Sequence, residues 1–152
     1  MEKLIAFALS MLPVFELRGG LIYAAASHIP LVTAFIICFI GNILPVPFIL
    51  LFIRRILIFF ERFKYTKGLV KKIENKARAK SDSVRRYQLL GLFILVALPL
   101  PGTGAWTGSI IASLLDLQIK KSFPVIALGV LGAGIIMSVL SYLIPGLFFA
   151  ET

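Results

Sequence analysis

The sequence predicts an all-α integral membrane protein of two inverted repeats, each a re-entrant helical hairpin followed by a transmembrane helix, joined by a basic amphipathic helix. Three observations lead there. Apolar residues make up 59% of the 152-residue chain and charged residues only 15%, against about 25% charge in a soluble domain. A water-facing globule cannot be coated with so little polar material. The formal charge of +9 is concentrated, with 12 Lys and Arg against three acids between Arg54 and Arg86. Finally, two of the long apolar stretches are interrupted midway, one by charge and one by proline and glycine.

The elements follow in chain order. Residues 1–30 read as the first re-entrant hairpin, because Glu16 and Arg18 sit in the middle of an apolar stretch. Each arm then has about 12–14 residues, too short to cross a core of about 30 Å. A cleaved signal peptide is not expected, since Glu2 and Lys3 give no basic leader and Glu16 and Arg18 interrupt the run. Residues 31–60 form the first transmembrane helix, uncharged to Ile53 and kinked by Pro45 and Pro47. Residues 61–88 form the basic helix. There Phe63, Val70, Ile73, Ala77, Val84 and Tyr87 recur at helical spacing. Such a helix lies on the inner leaflet, its basic residues drawn to anionic lipid, or else serves as a solvated connector.

Residues 89–115 read as the second hairpin, broken at Pro99-Leu100-Pro101-Gly102-Thr103-Gly104, and residues 122–150 as the second transmembrane helix. The positive-inside rule selects this arrangement. A full span over 88–115 would put Lys120 and Lys121 outside, whereas a re-entrant hairpin returns them to the side of the basic linker. The protein is then multi-pass in a prokaryotic plasma membrane, with the linker cytoplasmic. Leu12-Pro13 and Leu98-Pro99 recur 86 residues apart, and Gly41 and Gly129 recur 88 apart. The two halves enter from opposite faces, as inverted transporter repeats do.

The candidate site lies at the two tips. Glu16 and Arg18 are costly inside a membrane, and either lock the tip against each other or meet a substrate or a coupling proton. Gly19 and Gly20 follow them. At the second tip, Pro99, Pro101, Gly102 and Gly104 stop and turn the chain, while Thr103, Trp106 and Thr107 supply polar groups. Half-helix ends pointing to the midplane carry about half a charge each. The expectation is that outgoing amide ends near Gly19 and Gly104 act with Arg18 on an anion. Incoming carbonyl ends near Val14 and Leu98 would act with Glu16 on a cation or proton. Asn42 either supports carbonyls freed by the prolines or lines a cavity. The second tip lacks the lysine of a phosphate loop. No metal-ligand cluster, nucleophile triad or nucleotide motif is read.

Glu-Leu-Arg-Gly at 16–19, Gly-Asn-Ile-Leu-Pro-Val-Pro-Phe at 41–48 and Pro-Leu-Pro-Gly-Thr-Gly-Ala-Trp-Thr-Gly at 99–108 resemble the small multidrug export protein family. The likeness runs nearly the full length. That family is regarded as a branch of the DedA (VTT-domain) superfamily. The resemblance implies two facing re-entrant loops, each followed by a span. It also implies proton-linked transport or movement of lipids, including polyprenyl phosphate carriers. The function expected is therefore a transporter or flippase moving an anionic amphiphile or lipid headgroup between the tips. A small cationic-drug exporter and a non-transporting membrane scaffold are the alternatives. No enzymatic activity, cofactor, metal or nucleic-acid partner is expected. Membrane lipids, protons and a second copy of the chain, as a dimer, are the expected partners.

Overall fold

The computed structural model describes residues 1–61, 82–100 and 102–143. Among them there are helices and no strands. α1 (Glu2–Met11) and α2 (Glu16–Ala26) are separated by four residues around Pro13 and pack on each other. α3 (Leu31–Ile43) and α4 (Val46–Glu61) follow, divided at Leu44-Pro45 where proline cannot donate to the helix ladder. α5 (Asp82–Ala97) leads to the second break, α6 (Ala105–Leu114) leaves it, and α7 (Ile119–Ser138) continues as a π-type turn over Val139–Leu143. Two stretches, Leu31–Ile56 and Ile119–Leu143, are long and apolar enough to cross a membrane.

Three boundaries differ from the sequence reading. α5 begins at Asp82 rather than at 89, so the end of the expected linker and the second hairpin's first arm are one helix. α7 starts at Ile119 rather than Ser122, because Gln118 accepts the first-turn amides of Lys121 and Ser122 and the Ser122 hydroxyl as well. The first transmembrane helix expected over 31–60 is two helices, Leu31–Ile43 and Val46–Glu61, because Pro45 interrupts the backbone ladder. The basic amphipathic helix expected over 61–88 lies, from 62 to 81, outside the described residues, as does the end of the last span beyond 143.

The halves are built alike. α1, α2 and α3 pack together, as do α5, α6 and α7, and the halves join where α2 and α3 meet α7 and where α4 meets α6. Glycine sets the closest approaches. A Cβ on Gly41 would stand 2.7 Å from the Phe7 carbonyl oxygen, and one on Gly129 would stand 2.7 Å from Val96 and 3.2 Å from the Phe93 carbonyl. Small residues at helix crossings let backbones and neighbouring side chains interlock in this way. Phe7 and Phe93 are themselves 86 residues apart, so each glycine meets the same place on its own half's first helix.

The turns after α2 and α6 also match. Ile29 donates to the Ala24 carbonyl and His28 to Ala25; Leu117 donates to Ala112 and Asp116 to Ser113. His28 and Asp116 adopt left-handed backbone, φ 55° and 51°. This is the Schellman closure of a helix, including burial of the following apolar residue, here Ile29 and Leu117. The far ends are then tied crosswise. The Tyr142 hydroxyl, at the end of α7, donates to Ile29 at 2.8 Å, and Arg54, near the end of the first span, pairs with Asp116 at 2.8 Å.

Between these ties lies a core containing Leu17, Leu21, Cys38, Val46, Leu50, Val96, Ile126 and Val130. The outward faces of α3 and α7 are apolar too, with Val32, Ile36, Leu128 and Ile135 all more than half exposed. In water such faces would be a liability, but hydrocarbon is a suitable solvent for them.

Candidate functional site

The two breaks meet. Glu16 heads α2 with φ 49°, a left-handed conformation that is uncommon outside glycine. Its side chain is turned into the protein, leaving the residue 5% exposed. There the carboxylate Oε1 accepts the backbone N–H of Trp106 at 3.2 Å. Trp106 is in the first turn of α6, where amides have no helical partner and the helix carries partial positive charge. Glu16 thus caps a helix 90 residues away. Gly104 makes this approach possible, because a Cβ there would lie 1.7 Å from Glu16 Oε2 and the backbone has φ 146°.

Arg18 takes the opposite end of the broken hairpin. Its guanidinium donates to the carbonyls of Leu98, at 2.9 Å, and Leu100, and to Thr103 Oγ1 at 2.9 Å. The Thr103 hydroxyl can donate in turn to either carbonyl, each 2.8 Å away. These carbonyls lie just past the end of α5, where a cation is favoured. A planar guanidinium reaches three acceptors at once, which a lysine ammonium could not do in the same geometry.

The pairing expected from sequence is therefore crossed. Arg18 lies with the incoming carbonyl end near Leu98, and Glu16 with the outgoing amide end near Gly104. The physical reason is simple: each charge goes to the helix end of opposite sign on the facing hairpin. Among the described residues the two are not joined as an ion pair; the one such pair there is Arg54–Asp116.

The remaining candidates divide. Trp106 Nε1 donates to the Met11 carbonyl at 3.1 Å, closing the end of α1, and Thr107 donates to the Gly102 carbonyl at 3.0 Å. Gly102, at φ 78°, turns the exposed corner, and Pro99 stands just past the end of α5 at Ala97. Pro101 is outside the described residues. Gly19 and Gly20 are packing residues. A Cβ on Gly20 would strike Ser10 Oγ at 1.9 Å, and one on Gly19 would meet Phe15 at 2.7 Å.

Asn42 is the member with an unmet need. It is 2% exposed, and its Oδ1 has no hydrogen-bond partner. Supporting a carbonyl freed by proline would not satisfy that acceptor. Asn42 instead lines a cavity with Glu16, Leu17, Arg18, Val96, Gly104, Ala105, Val130 and Ala133. The cavity measures about 10 Å³, which is about the room of one water. Three pairs in its wall, Glu16 with Gly104, Leu17 with Ala105 and Asn42 with Val130, are 88 residues apart. It lies between matching positions of the two halves, and its polar side chains all come from the first. A larger apolar cavity of about 360 Å³ lies between the start of α3 and the end of α7, lined by Leu31, Phe35, Ile135 and Val139 among others.

A family model described as "Putative small multi-drug export protein" matches residues 16–136. No curated protein and no solved structure matches the chain.

Proposed function

The chain belongs to the small multi-drug export protein family, and from that premise we propose a proton-linked transporter or flippase that moves an anionic amphiphile or lipid headgroup between its two tips. In this reading the family is a branch of the DedA superfamily. The protein is a dimer in a prokaryotic plasma membrane, and the halves are inverted repeats with re-entrant hairpins. The crosswise ties support that architecture. The base of the first hairpin, at Ile29, meets Tyr142 at the end of the second span, and the base of the second, at Asp116, meets Arg54 near the end of the first. Hairpins based at opposite ends have tips that meet between. α6 has 10 residues, or about 15 Å of helix, which is half a bilayer core.

One observation carries the choice of substrate: the amide end of α6 is holding a carboxylate. A helix N-terminus is a ready site for carboxylate or phosphate, and the chain's own Glu16 occupies it. A substrate anion that displaced Glu16 would find those amides beside Arg18 and Thr103. Its tail could remain in lipid or in the apolar cavity along α3 and α7. With room for about one water, the present arrangement is the closed one, and transport requires the tips to part.

Reconstitution into liposomes tests this reading. Labelled anionic amphiphiles, phosphate lipids and lipophilic cations are offered with and without a pH gradient. Saturable, gradient-dependent movement of the anionic members is expected. Movement of cations alone, competed by protons, would replace it with the cationic-drug exporter. Lipid binding without any movement would leave a membrane scaffold.

A further inference from the structure

We propose that Asn42 is the partner to which Glu16 turns when its carboxyl takes a proton and releases the amide end of α6. The inference rests on the reading that this amide end is the anion site. The starting point is an unsatisfied atom. A buried acceptor without a donor forfeits its hydration for nothing in return, and Asn42 Oδ1 is such an acceptor, 2% exposed at the residue level, in the wall that also holds Glu16. Its counterpart in the second half is Val130, which has no such need.

The chemistry of the two states is complementary. Ionised Glu16 accepts hydrogen bonds only, and the Trp106 amide supplies one. When a proton from bulk water is added to one oxygen, the carboxyl becomes a donor and its attraction to the positive helix end falls. A donor has no use for an N–H, but it has one for Asn42 Oδ1. The proton thus moves Glu16 from one partner to the other and leaves the α6 amides for a carboxylate or phosphate oxygen. Protonation and anion binding become coupled at one site.

The surroundings do not supply a competing titration. Arg18, on the same helix, is the one other charged side chain lining the cavity, and it is held by Leu98, Leu100 and Thr103. α3 also brings Cys38, which lies against Ala6 and Gly20 rather than in this wall. From α5, α6 and α7 the lining residues are Val96, Gly104 at the head of α6, Ala105, Val130 and Ala133, none of them titratable.

Infrared difference spectra of the purified protein, recorded as pH is lowered, test the assignment without any transport assay. A protonated-carboxyl band absent from Glu16→Gln is expected, at the frequency of a hydrogen-bonded acid. Asn42→Val should move it to the frequency of a free acid. The same change should require about tenfold more protons for half-titration, the equivalent of one lost hydrogen bond. Asn42→Ser, which keeps an acceptor, should fall between, and serves alone if the valine variant does not fold. A band unmoved by both changes overturns the proposal, as does no Glu16 band before unfolding. A titration shifted the other way, as an amide donor at 42 would give, also overturns it. A correct band shift in a protein that moves no anion would sink the substrate reading and leave this one standing.

Discussion

Gly104 and Glu16 are fitted to each other so closely that a methyl group on the first would overlap the carboxylate of the second, at 1.7 Å from Oε2. Gly104→Ala therefore meets two costs: overpacking, about 1–3 kcal/mol, and a side chain at φ 146°, about 1–3 kcal/mol more. We expect Gly104→Ala to lower the thermal midpoint in detergent by the equivalent of roughly 3 kcal/mol. Adding Glu16→Ala should recover the steric part and leave the backbone part. The two changes would then be less damaging together than their sum, the signature of direct contact. Simple additivity would mean that the carboxylate is elsewhere.

A second expectation concerns the matched turns. His28 and Asp116 both hold left-handed backbone that glycine adopts without cost. His28→Gly should be neutral to stabilising, by about 0.5 kcal/mol, as relief of strain slightly exceeds the added freedom of the unfolded chain. Asp116→Gly should gain less, because it also gives up the half-exposed pair with Arg54, worth about 0–1 kcal/mol. High salt should narrow the gap between them. Valine at either place should cost about 1–2 kcal/mol. Equal tolerance of glycine and valine in thermal melts would refute the strain argument.

The features legible in the sequence were those carried by local composition. Low charge marked the membrane class, Pro13 and Pro99 to Gly104 marked the two breaks, and the 88-residue recurrence of Gly41 and Gly129 marked equivalent places in the two halves. What escaped was set by contacts between distant segments. Nothing near Glu16 says that it will cap α6, and nothing near Arg18 says that it will hold Leu98 and Leu100. Only the rule that each charge seeks the opposite helix end could have found that crossing, applied between hairpins rather than within one. The matched turns escaped for another reason. The Schellman closure is made by backbone groups, so histidine and aspartate fill the same role without looking alike. The Arg54–Asp116 pair was likewise hidden, although the charge argument had already put both on the linker's side.

That charge argument yields the topological prediction. With Cys38 buried, Asn75→Cys and Ile119→Cys should both react with an impermeant thiol reagent from the cytoplasmic side and from no other. Labelling at 119 from outside would mean that 88–115 crosses completely, and the re-entrant architecture would be lost. The Arg54–Asp116 contact favours the first result, since it holds the loop after α6 beside the linker end of the first span.

The last prediction separates what Arg18 does for the fold from what it does for a substrate. Its guanidinium holds Leu98, Leu100 and Thr103, so Arg18→Gln should cost roughly 2–4 kcal/mol through lost charge-assisted bonds. Thr103→Val removes one of those acceptors while leaving the charge, and should cost about 1 kcal/mol. If Arg18 served only to cap α5, binding of an anionic amphiphile would follow stability across the series. If it also meets the anion, binding should follow charge and fork geometry instead. Thr103→Val would then lose only the share of one hydroxyl, Arg18→Lys would be weakened further, and Arg18→Gln would be nearly inactive even at temperatures where it is fully folded. Equilibrium binding of a labelled anionic amphiphile, measured below every variant's melting point, distinguishes the two. Retained affinity in folded Arg18→Gln protein would remove Arg18 from the site and leave it as a cap on the second hairpin.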